Sequence, residues 1–522
     1  MSFAPATGFL RTRRLLTLSP DSTGDGLYWR NGRIEAVGDA KSIRRHLAAD
    51  TPEYDLEDLL ITPGFVDSHT HFGQWALSRR QVHLAGCDRA EALRRVAAAP
   101  VEQGWIRGHG WDANNWDKPP HRGMLDAIAS GPVWLDSLDV HAAWLNAAAL
   151  SALGITRETA DPAGGRVVRD AAGEPTGVLM ERAVEMAAAG LPAPHPAGLL
   201  VAVKEAQREA NRLGVTGIHD MGDRHSLAAF QQLDAAAELT LRVLFCPPVT
   251  MLPELAAAGA RTGSGGPMLR TGGIKMFLDG SLGSQTAWML EPYAGSTNRG
   301  MTLTSHDEAR AAMHLAGDHG FAVAVHAIGD AAVRRALELI EELPHQALPH
   351  RIEHLQCVHP DDLDRAGRAG IVASMQPAHL LADIPLAERH WGERSRGAYV
   401  FRSLIRRGTV VAFGSDMPVA TPDPRAGIFA ALDRTALDGK PAGGWYPGEA
   451  LDFAAALSGY TAGPAAAAGL AATSGRLAPG CDADFVAWDV DPLAERGSGE
   501  AFLAGRARLT VVGGRIAWSD LN

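Results

Sequence analysis

Ile61-Thr-Pro-Gly-Phe-Val-Asp-Ser-His-Thr-His-Phe72 is the stretch on which the reading of this chain turns. A Pro-Gly pair opens a run of β-branched and aromatic residues, which reads as a short buried strand, and on a strand residues i and i+2 point the same way. His69 and His71 therefore present two imidazoles side by side. Two neutral imidazoles converging from one strand form a pincer for a borderline-soft divalent cation such as zinc, and Asp67 lies on the same face as an orienting group. Two histidines at this spacing also arise by chance, so the decision rests on whether further ligands stand at the ends of later strands.

Strand-then-helix units follow. Apolar runs at 214–220, 241–246, 273–279, 321–326, 351–355, 370–377 and 409–416 read as strands, with helical patterns at 199–213, 307–320, 331–343 and 361–369 among them. Counting the opening stretch, eight such strands predict an α/β fold, a (β/α)8 TIM-like barrel over 61–464 with its active site at the C-terminal strand ends. The Trp- and Gly-rich segment of about 101–191 is too long for an ordinary connection and reads as an insertion after the first barrel strand, on the active-site side. The chain ends echo one another. Asn31-Gly32 is a hairpin signal, and residues 509–518 again read strand, Gly-Gly, strand, with Gly-Arg-Ile in both places. Residues 1–60 and 465–522 are expected to pair into one small composite β-sandwich, with two unrelated hairpins as the alternative.

Composition narrows the function. The chain has 522 residues, 46% of them hydrophobic, enough for one very large domain or two to three ordinary ones. The net charge of -11 is spread along the chain, which argues against nucleic acid or an anionic membrane surface and for a small-molecule substrate. Four cysteines without CxxC spacing suggest neither disulfides nor a thiolate zinc site. No signal peptide and no membrane span is read, so a cytoplasmic protein is expected. Basic charge is almost all arginine; the lysines are Lys41, Lys118, Lys204, Lys275 and Lys440.

That asymmetry singles out Lys275, flanked by Ile274, Met276 and Phe277. A buried lysine can become a neutral amine, which arginine cannot, and a neutral amine can take up carbon dioxide as a carbamate able to bridge two metal ions. The competing reading pairs Lys275 with a carboxylate such as Asp279. His326 and His354 end the fifth and sixth strands, and Asp416 ends the eighth, where an unpartnered charge would be costly. Strand ends at one barrel mouth would bring these residues to His69 and His71.

The order Pro-Gly-Phe-Val-Asp-Ser-His-Thr-His, then Lys, His, His and Asp, resembles the amidohydrolase superfamily. The runs at 110–116, 275–284, 325–330, 375–377 and 414–419 are similar to its YtcJ-like branch, which includes N-substituted formamide deformylases. One departure is Asp139-Val-His141, where that branch usually has Asp-Gly-His; Val140 puts the local loop shape in doubt. The resemblance implies two divalent metal ions, zinc foremost. One would be held by His69, His71, Asp416 and the Lys275 carbamate, the other by that carbamate with His326 and His354. It further implies hydrolysis of a non-peptide C–N amide of N-acyl or N-formyl amine type, with Asp416 as general base and then acid, and a homodimer as the expected assembly. The alternatives are a one-metal deaminase or cyclic-amide hydrolase, and, in another class, a catalytically inactive barrel scaffold. For the substrate, Trp111, with Trp116 and Trp144, walls a pocket or packs the insertion's own core. His141, His219 and His379 are substrate contacts or partners of the ligands, whereas Gln285, Arg351 and Glu353 read as structural.

Overall fold

The computed structural model describes residues 6–114, 116–492 and 499–521, and the chain is mixed α/β. The eight parallel strands of the middle are β1 (Phe65–Thr70), β2 (Val215–Asp220), β3 (Arg242–Phe245), β4 (Ile274–Phe277), β5 (Val323–Ala327), β6 (Arg351–His354), β7 (Val372–Met375) and β8 (Val410–Phe413). β1, β2 and β3 lie in a four-stranded sheet completed by Leu269–Thr271, and β4 to β8 form a five-stranded one. Parallel bridges link the two sheets, Pro248 with Lys275 and Thr70 with Met417. β5 and β6 are buried at every position, as strands covered on both faces must be. Register sets the site: Lys275 lies opposite Ala324, Phe277 opposite His326 and Ala327 opposite His354. Three chemically active side chains therefore stand near the same ends of adjacent strands.

The helices between these strands are amphipathic for the same reason. Asp330–Ile340, just after β5, buries Val333, Leu337 and Ile340, and a fully buried aliphatic side chain of this size contributes about 1.5–3 kcal/mol. His306–Asp318 begins with a Ser305/Glu308 capping box, which satisfies two orphan backbone N–H groups. No helix among the described residues is long and apolar enough to cross a membrane.

Both chain ends contribute to one five-stranded sheet, in which Leu60–Pro63 runs antiparallel to Phe485–Trp488 with Ile61 opposite Ala487. A second sheet of four strands, from residues 8–55, shares a buried cluster with it: Leu10, Leu27 and Trp29 from one, Phe485, Leu509 and Val511 from the other. Trp29 meets Phe485 edge-on at 5.1 Å and donates its indole N–H to the Gly514 carbonyl.

The long segment after β1 forms a six-stranded sheet of its own, and it begins earlier than about residue 101, because Val82–His83 pairs in parallel with Gly108 and His109. Trp111, Trp116 and Trp144 pack on one another with ring centroids 5.7–6.3 Å apart, so they build a core for this sheet. Asn115, within the 110–116 run, lies outside the described residues. Val140 has a left-handed backbone, φ +54°. For a β-branched residue that conformation costs about 1–2 kcal/mol, and it accounts for glycine as the usual occupant of the resembling motif. Val140→Gly is expected to stabilise the protein by about 0.5–1 kcal/mol, once the extra freedom of glycine in the unfolded chain is deducted. A rise in the denaturation midpoint in urea checks it; an unchanged or lower midpoint would count against the strain.

Candidate metal centre

His69, in β1, and His71, one residue beyond it at the start of the helix Phe72–Ser78, are each fastened at Nδ1 and turn Nε2 toward Asp416. His69 Nδ1 lies 2.7 Å from Glu353 Oε2. Burial pushes the Glu353 carboxyl up, but the Arg351 guanidinium and His69 outweigh it and hold it well below the usual carboxylate range. A carboxylate only accepts, so His69 donates from Nδ1 and its Nε2 carries a lone pair. Burial, aided by Lys275, lowers the His69 pKa to about 4, so the ring is neutral. His71 Nδ1 lies 3.0 Å from the Met221 carbonyl, which likewise only accepts. Both Nε2 atoms then face one carboxylate oxygen, Asp416 Oδ1, each at 3.3 Å. Two imidazole nitrogens converging on one carboxylate oxygen gather donors for a cation, and the ligand atoms of His69, His71 and Asp416 all lie within 4.8 Å of one another.

Asp416 is held in place by the backbone. Its φ is +59°, its N–H donates to the His69 carbonyl at 2.7 Å, and the preceding Ser415 donates from both N and Oγ to Asp67. Asp67 also accepts from the His69 N–H. Its orienting role is thus exerted on the backbone, locking the end of β1 to the loop after β8. Burial pushes the Asp416 carboxyl up, but His69, His71 and His354 outweigh it and hold it well below its ordinary range.

Lys275, His326 and His354 complete the cluster. Lys275 is 3% exposed. Its Nζ, His69 Nε2 and His354 Nδ1 are buried polar atoms with no hydrogen-bond partner among the described residues. Burial lowers the Lys275 pKa to about 8. Asp279 is not its partner: the Asp279 oxygens accept the N–H groups of Ile328, Gly329 and Trp288. The His354 ring lies 4.9 Å from that of His69 and 4.5 Å from that of His326. His326 donates from Nε2 to the Gly280 carbonyl at 3.1 Å, which leaves Nδ1 as its bare nitrogen, and burial with Lys275 nearby keeps the ring neutral. Imidazole nitrogens, a carboxylate and an amine near its neutral form suit divalent cations. A second group, His354, His379 and Asp416, also brings ligand atoms within 4.8 Å. Because His379 Nε2 lies 3.2 Å from the Ser415 carbonyl and donates to it, that nitrogen is committed to steadying the Asp416 loop.

The sequence pattern of the amidohydrolase family matches residues 53–517. The chain belongs to the amidohydrolase family. This amidohydrolase is 33% identical to the protein LONG AFTER FAR-RED 3 of Arabidopsis thaliana, over 89% of this chain and 85% of that one. It is 30% identical to YtcJ of Bacillus subtilis, named as an amidohydrolase, over 90% and 92%. The N-substituted formamide deformylase of Arthrobacter pascens is 27% identical over 88% and 89%. Among solved structures, a metal-dependent hydrolase from Pyrococcus horikoshii OT3 superposes with a TM-score of 0.78 at 28% identity, covering 93% of this chain and 98% of that one.

Beside the His–Asp cluster the amidohydrolase has a cavity of about 1010 Å³, lined among others by Trp111, His141, His354, His379 and Asp416. His219 is not in that lining. Its Nδ1 accepts from Arg351 Nη1 at 2.9 Å, and burial beside that cation drives its pKa well down. His141 Nδ1 lies 2.8 Å from Glu181 Oε2. Burial pulls the His141 pKa down, but Glu181 and Asp139 more than offset it and raise it to about 9, so an imidazolium borders the cavity. Asp139 also accepts from Ser281 and Ser284, tying the loop after β4 to the inserted sheet. Arg351 and Glu353, structural residues in the sequence reading, act on the site through His69: Arg351 donates to Glu353, and Glu353 accepts from His69 Nδ1. Their i, i+2 spacing on β6 beside His354 was the available signal. Gln285 is part of the cavity lining.

Proposed function

We propose that this amidohydrolase hydrolyses a non-peptide C–N amide bond, of the N-acyl or N-formyl amine type, in the cavity beside Asp416. The observation that carries the reading is the convergence of two imidazole Nε2 atoms on one carboxylate oxygen, 3.3 Å from each. In this reading β1 to β8 close as one barrel over 61–464, and residues 1–60 and 465–522 form a composite β-sandwich. His69, His71, Asp416 and a Lys275 carbamate would hold one divalent cation, and that carbamate with His326 and His354 a second, zinc being the expected metal. Cations bound there supply Lewis acidity, polarising the amide carbonyl and making water a stronger acid.

The chain's own residues do the rest. Asp416 takes a proton from the attacking water and returns it to the leaving nitrogen, so the products are a carboxylic acid or formate and an amine. The His141 imidazolium faces the cavity as a fixed positive charge for the carbonyl oxygen as negative charge builds on it. Glu353, charged through Arg351, holds His69 in the tautomer that keeps Nε2 bare. The similarity to N-substituted formamide deformylase supports an N-formyl or N-acyl amine.

The test is a panel of N-formyl and N-acyl amines offered to metal-replete protein. Release of formate or acid is expected, abolished by a chelator and restored by zinc. A metal-replete protein that cleaves none of the panel would favour the scaffold reading instead.

A further inference from the structure

We propose that Asp383 is a specificity-determining residue of this cavity, receiving an ammonium or N–H group that the substrate carries about one helical turn from its scissile carbonyl. The proposal rests on the reading of the site as an amide hydrolase. Asp383 is part of the cavity lining, and its two oxygens are used unequally. Oδ2 accepts the Tyr399 hydroxyl at 2.5 Å and Gln356 Nε2 at 2.8 Å. Oδ1 has no donor among the described residues. The contrast is Asp139 in the same lining, whose Oδ1 accepts from Ser137 and whose Oδ2 accepts from Ser281 and Ser284.

Both donors to Oδ2 are anchored. Gln356 follows His354 by two residues, and its carbonyl accepts the Tyr399 N–H at 3.0 Å. Tyr399 is itself held by buried Arg434, whose Nη1 donates to the Tyr399 carbonyl at 3.0 Å. The carboxylate is therefore fixed before any ligand arrives, the condition for discrimination between ligands. Position follows from the helix. His379 immediately precedes the helix Leu380–Trp391, and His379 Nε2 is 3.9 Å from Asp416 Oδ2. Asp383 comes four residues later, on the same helical face and about 6 Å further along the axis. The same lining mixes apolar side chains, Leu282, Ile328 and Leu386, with polar ones such as Gln285 and Arg389. An unused carboxylate oxygen at such a wall favours a donor from the ligand, most of all a cation. Burial pushes the Asp383 carboxyl up, with His379, Tyr399 and Gln356 acting the other way.

Three N-formyl amines of matched length test it: N-formyl-1,3-diaminopropane, N-formylbutylamine and N-formyl-γ-aminobutyrate, ending in ammonium, methyl and carboxylate. The metal-replete enzyme is expected to favour the ammonium member over the methyl one by roughly tenfold or more in kcat/KM, and Asp383→Asn to remove that preference. A ratio between two substrates on one preparation does not depend on the fraction folded. Equal rates, a preference for the carboxylate member, or an ammonium preference that survives Asp383→Asn would overturn the assignment. Calorimetric binding of the same compounds separates the two readings. An ammonium preference in binding that is lost in the variant, without hydrolysis of any member, upholds Asp383 and removes the amide-hydrolase reading. Hydrolysis without preference does the reverse.

Discussion

Lys275→Ala is expected to cut the metal bound per chain from about two equivalents to one or fewer, and kcat/KM on amides by at least about 10²-fold. The argument starts from an orphan. Lys275 Nζ is buried with no hydrogen-bond partner among the described residues, 4.5 Å from the centre of the Phe277 ring, and Asp279 is occupied elsewhere. A buried amine without a partner destabilises a protein by about 1–3 kcal/mol. Lys275→Met should therefore make the metal-free protein more stable while lowering its metal content. Stability and metal binding moving in opposite directions mark a residue held for function. Elemental analysis beside His69→Ala gives the reading, with loss expected in both. One equivalent, unchanged in Lys275→Ala along with activity, would remove the carbamate and send the search toward one-metal deaminase substrates.

The second large effect is expected from Asp416→Asn, with kcat lower by about 10²–10⁴-fold, the range for loss of a positioned acid–base group. The substitution suits the site sterically. Asp416 has φ +59°, a region asparagine tolerates better than most residues, and the bond that holds it comes from its own backbone N–H. Thermal unfolding should change little, and metal analysis on the same sample shows how much of the loss follows from weakened ligation. A kcat within tenfold of the parent would place the proton transfer on another group.

How much was legible in the sequence follows from how each contact is made. The eight strands could be found because each is a short apolar run between turn residues, and that signal is local. His69, His71, Lys275, His326, His354 and Asp416 stand out as candidates in the sequence because each lies in or just after an apolar run, and that signal too is local. The orienting contacts are another matter. His69 meets Glu353 across 284 positions, and Asp67 meets Ser415 across 348; nothing local announces either pair. Trp111, Trp116 and Trp144 could not be divided between pocket and core until their mutual packing was known. Asp383 has no local signal, because a carboxylate on a helix ordinarily faces solvent, and only the donors from Tyr399 and Gln356 distinguish this one.

The pairing of Leu60–Pro63 with Phe485–Trp488 has a consequence for biosynthesis. The early strand leaves the ribosome some 420 residues ahead of its partner, which at about 5–20 residues per second is a wait of roughly 20 to 80 s. Throughout that interval the edge of Leu60–Pro63 that meets Phe485–Trp488 in the folded protein stands unpaired, just ahead of His69 and His71. A chain cut ahead of Phe485 would leave Leu60–Pro63, which leads directly into the ligand-bearing β1, without its antiparallel partner.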